Sequence, residues 1–215
     1  MPFQPAPWTL HGSGLVLVCK FSARMVEASG LLPGELQGRA HGGIGAYGLI
    51  DYRRSNAGAY RELLVLPGRF MTGGKPQYSI SQIYVDSDDS LTGGRLNWGI
   101  PKQLAALRVS RPGENPWRFE AELDGQPLFQ LEARPLGPAL PLRLGRLPFV
   151  LFQDYEGVRY KTRFGGRFKM RFARVTHVFA DGSRFPDPAQ FRILFAVMIE
   201  DFTLHFPPAD RQPLQ

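Results

Sequence analysis

The chain is poor in the residues that most often carry metal and thiol chemistry. Of its 215 residues one is cysteine, Cys19, and four are histidine: His11, His41, His177 and His205. A single cysteine excludes an intrachain disulfide and any cysteine-based metal cluster. Its place in the apolar run LVLVCKF suits a small buried hydrophobe. The histidines are far apart, with no HExxH or other paired spacing, so no metal site is expected. No apolar run approaches the roughly 20 residues of a membrane span, and no membrane partner is expected. The start, MPFQPAPW, lacks the basic and apolar regions of a signal peptide, and a cytoplasmic location follows as the expectation. There is no GxSxG elbow, and the glycine-rich SGLLPG and GGIGAYG stretches lack the strand-to-helix setting of a phosphate loop. VDSDDS lacks the ligand order and glycine of a calcium loop and reads as a turn joining two strands.

Lysine is also scarce, with five against twenty-one arginines. The formal charge of +7 could suit nucleic acid, but the arginines are scattered singly. Their densest group, Arg159 to Arg174, alternates with Tyr, Phe and Gly as a strand would. An electrostatic footprint needs clustering on one face, so no nucleic-acid partner is expected.

The composition is otherwise that of a globular protein, 43% hydrophobic and 12% aromatic, with sixteen phenylalanines to fill an interior. Twenty-four glycines and nineteen prolines, spread along the chain, indicate many turns. Apolar or alternating runs predict strands at 14–21, 46–51, 60–66, 78–85, 149–154, 158–164 and 166–179, and DFTLHF predicts a closing strand. WRFEAEL, DGQ and PLFQLEA predict a hairpin, with Asp124-Gly125 supplying the positive φ angles of its turn. Short helices are predicted at 22–32, at QLAAL after Pro101, and from Asp187 to about Phe195. No repeat or long linker divides residues 1–215, so a single α+β domain is expected, dominated by antiparallel sheet, with two or three short helices.

One of the five lysines, Lys102, follows a proline in GGRLNWGIPKQLAAL. An amine can lose its proton and attack a carbonyl, which a guanidinium cannot. SNAGAYRELLVLPG, followed by YSISQIYVDSDDSLTGGRLNWGIPKQLA, resembles the acetoacetate decarboxylase-like superfamily. The resemblance lies in the order of a small-residue turn, Tyr-x-Glu on a strand, an acidic turn, Gly-Arg and Gly-x-Pro-Lys.

This resemblance implies a cone or barrel of antiparallel strands around a central cavity. It makes Lys102 a Schiff-base lysine, which condenses with a keto acid or related carbonyl compound to an iminium. The iminium is itself the electron sink, so no cofactor is implied. A free lysine, with a pKa of about 10.4, is almost fully protonated at neutral pH, and such chemistry needs a site that favours the neutral amine. Glu62 matches the family's strand acid. The family's second lysine is replaced by Gln103, an uncharged candidate for the substrate-binding set. A further family acid aligns near Tyr47 or Asp51, and an arginine near Ser13. Members of the family are often oligomeric, which leaves a homo-oligomer open.

The residues also allow plainer readings. Lys102 could be an ordinary loop lysine, and Glu62 a surface glutamate paired with an arginine. Arg95 could hold the lysine loop or bind a substrate carboxylate. Tyr60 shares a strand face with Glu62, Leu64 and Leu66, a mostly apolar surface suited to a cavity. Two functions remain open. One is an enzyme working through Lys102, by decarboxylation or aldol or dehydration chemistry; the other is a noncatalytic protein holding a small ligand in the same cavity.

Overall fold

Strand β1 (Trp8–Phe21) lies between β2 (Ala40–Arg54) and β14 (Arg192–Phe206), antiparallel to both. The structure is a computed structural model describing residues 3–110, 113–144 and 150–214. In chain order, β1 is followed by α1 (Ala23–Ala28), β2, β3 (Tyr60–Leu66), β4 (Arg69–Thr72), β5 (Lys75–Tyr78) and β6 (Gln82–Val85). Then come α2 (Asp88–Trp98), β7 (Lys102–Leu104), β8 (Ala106–Val109), β9 (Trp117–Leu123) and β10 (Gln126–Leu144). The chain closes with β11 (Val150–Tyr155), β12 (Val158–Arg163), β13 (Gly165–Ala180), β14 and β15 (Asp210–Pro213).

The strands form one open mixed sheet in the order β15-β12-β11-β5-β4-β2-β1-β14-β13-β10-β9-β8, with β3, β6 and β7 branching from β2. Nearly all pairings are antiparallel; β6 with β7 and β11 with β5 are parallel. The α+β class, the dominance of antiparallel sheet and the cavity expected from the sequence are all present, although the sheet is open rather than a closed barrel.

The middle strands are buried on both faces. On one, Leu15, Leu17 and Cys19 of β1 meet Tyr47, Leu49, Leu63 and Val65, covered by Phe119, Phe129 and Phe185. On the other, Trp8, Leu10, Ile50, Tyr52, Tyr60 and Ile83 gather with Trp98, Ile199 and Phe202. Period-two alternation therefore sends each half of β1, β2 and β3 into a different core. The β9–β10 hairpin turns as the sequence predicts, with φ of 52° at Asp124 and 72° at Gly125.

Four local expectations are corrected. VDSDDS is no strand-to-strand turn but opens α2: Ser87 Oγ accepts the Ser90 amide, and Asp88 and Asp89 sit in the first turn, where the helix dipole favours negative charge. QLAAL is not helical, because Lys102–Leu104 is recruited as a strand beside β6 and Ala106–Val109 beside β9. The helix expected from Asp187 is a single 3-10 turn, Pro188–Gln190, after which β14 begins. The helix expected over 22–32 is confined to Ala23–Ala28. Of the strand expected over 149–154, Phe149 lies outside the described residues.

Cys19 is fully buried, and desolvation pushes its thiol up to about 12. A thiolate is the reactive form. Iodoacetamide at pH 8 should therefore leave Cys19 unmodified in the folded protein and alkylate it completely in denaturant, read by intact mass.

Candidate active site

The site is built on the face of β2, β3, β6 and β7 that turns toward the second core. Along β3, Tyr60, Glu62, Leu64 and Leu66 point one way, as the alternation predicts, and all four line one cavity. In the paired registers Leu64 lies opposite Ile83, and Ile83 opposite Lys102. Lys102 thus shares the cavity face with β3, two strands away, and the long lysine and glutamate side chains close that gap.

The Lys102 ammonium donates to Glu62 Oε2 and to Ser90 Oγ, each at 2.9 Å. Tyr52 donates its hydroxyl to Glu62 Oε1 at 3.1 Å. The Tyr60 ring presents its face to Lys102 Nζ, 5.0 Å from the centroid, within cation–π range. Ser90 and Tyr52 lie beside the Tyr60 hydroxyl. Both carboxylate oxygens and the ammonium therefore have partners, although the Lys102 and Glu62 side chains are only 4% and 7% exposed. Burial first, and the Glu62 charge second, push the Tyr52 and Tyr60 phenols well above the ordinary tyrosine value. Both stay protonated and can act as donors.

This polar cluster sits in an otherwise apolar cavity of about 220 Å³. Its walls include Trp8, Leu10, Trp98, Phe164, Phe168 and Ile199. Trp8 and Trp98 meet edge to face at 5.0 Å, and Phe164 stacks on Phe206 at 4.9 Å.

Helix α2 positions the lysine. A Cβ on Gly94 would stand 2.6 Å from Lys102 Cδ and Cε, and one on Gly93 would stand 2.3 Å from the Trp8 ring. The two glycines let the lysine stem and the indole lie directly on the helix. Gly99 ends α2 in the left-handed region, with φ 62°, and its amide bonds back to the Arg95 carbonyl.

The expected site residues do not all converge. Lys102, Glu62 and Tyr60 come together. Arg95 turns its guanidinium onto the Lys102 carbonyl oxygen, at 2.6 and 3.0 Å, holding the lysine loop from outside the cavity. Gln103 is exposed, because strand alternation sends it to the face opposite Lys102. Neither is in the lining: of the two roles open for Arg95 this geometry matches holding the lysine loop, and Gln103 faces away from the cavity where substrate binding had been expected of it. Tyr47 belongs to the other core, and Asp51 lies beside Arg61, 3.7 Å away. Two residues the sequence reading did not single out complete the cluster. Tyr52 lies one residue past the predicted strand 46–51 with the parity of Gly48 and Ile50, so extending the alternation would have found it. Ser90 was hidden in the segment read as a turn. Among the described residues no group of His, Cys, Asp and Glu is arranged to hold a metal.

A sequence profile described as Acetoacetate decarboxylase (ADC) matches residues 1–163, which include every member of the polar cluster. The chain belongs to that family. Solved structures agree in fold. An acetoacetate decarboxylase from Legionella pneumophila aligns with a TM-score of 0.72 at 12% identity, over 98% of this chain and 88% of its own. An acetoacetate decarboxylase-like enzyme from Sphingomonas wittichii RW1 aligns at 0.65 and 18% identity, over 97% and 93%. The enduracididine biosynthesis enzyme MppR, complexed with the condensation product of pyruvate and imidazole 4-carboxaldehyde, aligns at 0.65 and 15% identity, over 97% and 90%. No curated protein matched.

Gly94 of α2 seats the lysine stem, whereas Gln103 faces away from the cavity. Gly94→Ala should fold, since alanine is favoured over glycine in a helix and the overlap is with flexible methylenes. It should slow reductive labelling of Lys102 by a carbonyl reagent roughly a hundredfold, the scale of an ångström misplacement. Gln103→Lys should leave that rate unchanged, because the new charge faces solvent. Peptide mapping of labelled protein measures both.

Proposed function

We propose that the protein is a Schiff-base enzyme acting on a small carbonyl compound, a keto acid or a related aldehyde or ketone, with Lys102 as nucleophile. The observation that carries this reading is the Lys102 amine, buried in an apolar cavity and in contact with one carboxylate, Glu62.

Glu62 takes a proton from the ammonium, and the freed amine adds to the substrate carbonyl carbon. The new oxygen takes that proton back from Glu62 and a second from the nitrogen and leaves as water, forming a carbon–nitrogen double bond with a positive charge on nitrogen and returning Glu62 to its carboxylate. The Tyr60 ring face stabilises that cation, and the protonated Tyr52 hydroxyl orients Glu62. The iminium withdraws electrons from the adjacent carbon, which loses carbon dioxide or a proton, or joins a second carbonyl in aldol or dehydration chemistry. Glu62 is the group placed to move protons in these steps. Arg95 acts as a positioning residue through the Lys102 backbone. The chain carries out this chemistry with its own side chains. Exposed Leu136, Leu140, Phe172 and Phe195 on β10, β13 and β14 give physical support to a homo-oligomer.

Borohydride reduction in the presence of a panel of carbonyl compounds tests the reading. A reduced adduct should map to Lys102 and be lost in Lys102→Ala, while Glu62→Gln should form it about a hundredfold more slowly, as removal of an acid–base group does. If no carbonyl compound is trapped at Lys102, the reading fails and the cavity is a noncatalytic small-ligand site.

A further inference from the structure

We infer that the cavity takes a neutral carbonyl compound with an extended apolar body, an aldehyde or ketone, and rejects keto acids; this rests on the Schiff-base reading. The inference comes from the charges present around the cavity. Among the described lining residues the only charged groups are Lys102 and Glu62, and they are paired to each other. Arg95, which could have met a carboxylate, is committed to the Lys102 carbonyl. Arg61, next to Glu62 in sequence, points to the opposite face and binds Asp86 at 2.9 Å.

Among the described residues, a substrate carboxylate in this cavity would find no cation except the lysine that its own carbonyl consumes. It would also lie near the Glu62 charge. A carboxylate buried without a partner is strongly disfavoured. The other walls favour an apolar body: Trp8, Leu10, Phe164, Phe168, Ile199 and Leu204 offer no polar side-chain group apart from the tryptophan N–H groups. Those are already used, Trp8 donating to the Gln4 carbonyl and Trp98 to the Pro207 carbonyl. The polar cluster therefore marks the carbonyl end of the ligand and the aromatic walls its tail.

A substrate of this class has no carbon dioxide to lose. The iminium instead gives up a proton from the adjacent carbon to Glu62. The carbon–hydrogen electrons become a carbon–carbon double bond, and the carbon–nitrogen double-bond electrons return to nitrogen. The resulting enamine takes a proton back or attacks a second aldehyde.

Two measurements separate this inference from the reading beneath it. Octanol and octanoate share a chain and lack a reactive carbonyl, so their binding reports ligand class alone. Trp8 and Trp98 line the cavity whereas Trp117 lies in the other core, so tryptophan fluorescence follows binding. Octanol should bind at least on the order of a hundredfold tighter than octanoate, given the cost of an unpaired buried carboxylate. Across shorter alcohols affinity should fall about fourfold per methylene removed. Equal affinity for octanoate, or no dependence on chain length, would overturn the inference. Borohydride trapping with octanal and with pyruvate then bears on both levels. Adducts at Lys102 from octanal far in excess of pyruvate support both. Pyruvate trapped as efficiently as octanal overturns the neutral-substrate class and keeps the Schiff base. No adduct from either, with octanol still bound, overturns the covalent reading and keeps the apolar neutral ligand.

Discussion

The ion pair between Lys102 and Glu62 is the constraint around which this part of the molecule is arranged. Two opposite charges removed from water lose several kcal/mol of solvation each, and their mutual attraction offsets this only with good geometry and further hydrogen bonds. Ser90 supplies one such bond to the ammonium and Tyr52 one to the carboxylate, and the Tyr60 ring adds its face. Apolar packing of the same volume would serve stability at least as well. A buried pair at the end of an apolar cavity therefore points to chemistry more than to folding.

The topology explains how two residues forty positions apart meet. Parallel strands cannot be joined by a tight turn, so β6 and β7 require a crossover, and α2 provides it. The same helix carries Ser90 in its first turn and Gly93-Gly94 on the face that receives Trp8 and Lys102. Its last turn supplies Arg95, which fixes the backbone of the lysine. One helix therefore closes the parallel connection, partners the amine, shapes its seat and clamps its carbonyl. The N-terminal segment is tied to α2 as well: Asn97 accepts the Ala6 amide and donates to the Gln4 carbonyl. That brings Trp8 into the cavity wall.

Much of this was legible in the sequence where a local rule and the packing agree. Tyr60, Glu62, Leu64 and Leu66 obey strand alternation, and the strand lies where alternation places them. Asp124-Gly125 specifies its turn by backbone conformation alone. The rest was hidden where tertiary contacts override local preference. Helix α2 contains two adjacent glycines, poor helix formers, because side chains press against them; without knowing what packs there, VDSDDS reads as a turn joining two strands. QLAAL has good helix formers, but the hydrogen-bonding edges of β6 and β9 claim it as two strands. The orientation of Arg95 was open for the same reason, since its partner is a backbone carbonyl seven residues on. Gln103 drew attention as the neighbour of Lys102 in sequence, yet neighbours on a strand face opposite ways.

On this structure the Lys102 and Glu62 charges are desolvated and compensate each other. A double-mutant cycle of Lys102→Met and Glu62→Gln, followed by urea denaturation, tests it most directly. Each single change should destabilise the protein by about 3–5 kcal/mol, leaving one buried charge unpaired, while the double variant should recover most of that loss. Small, additive costs from the two single changes would mean that both charges are solvated and do not compensate each other.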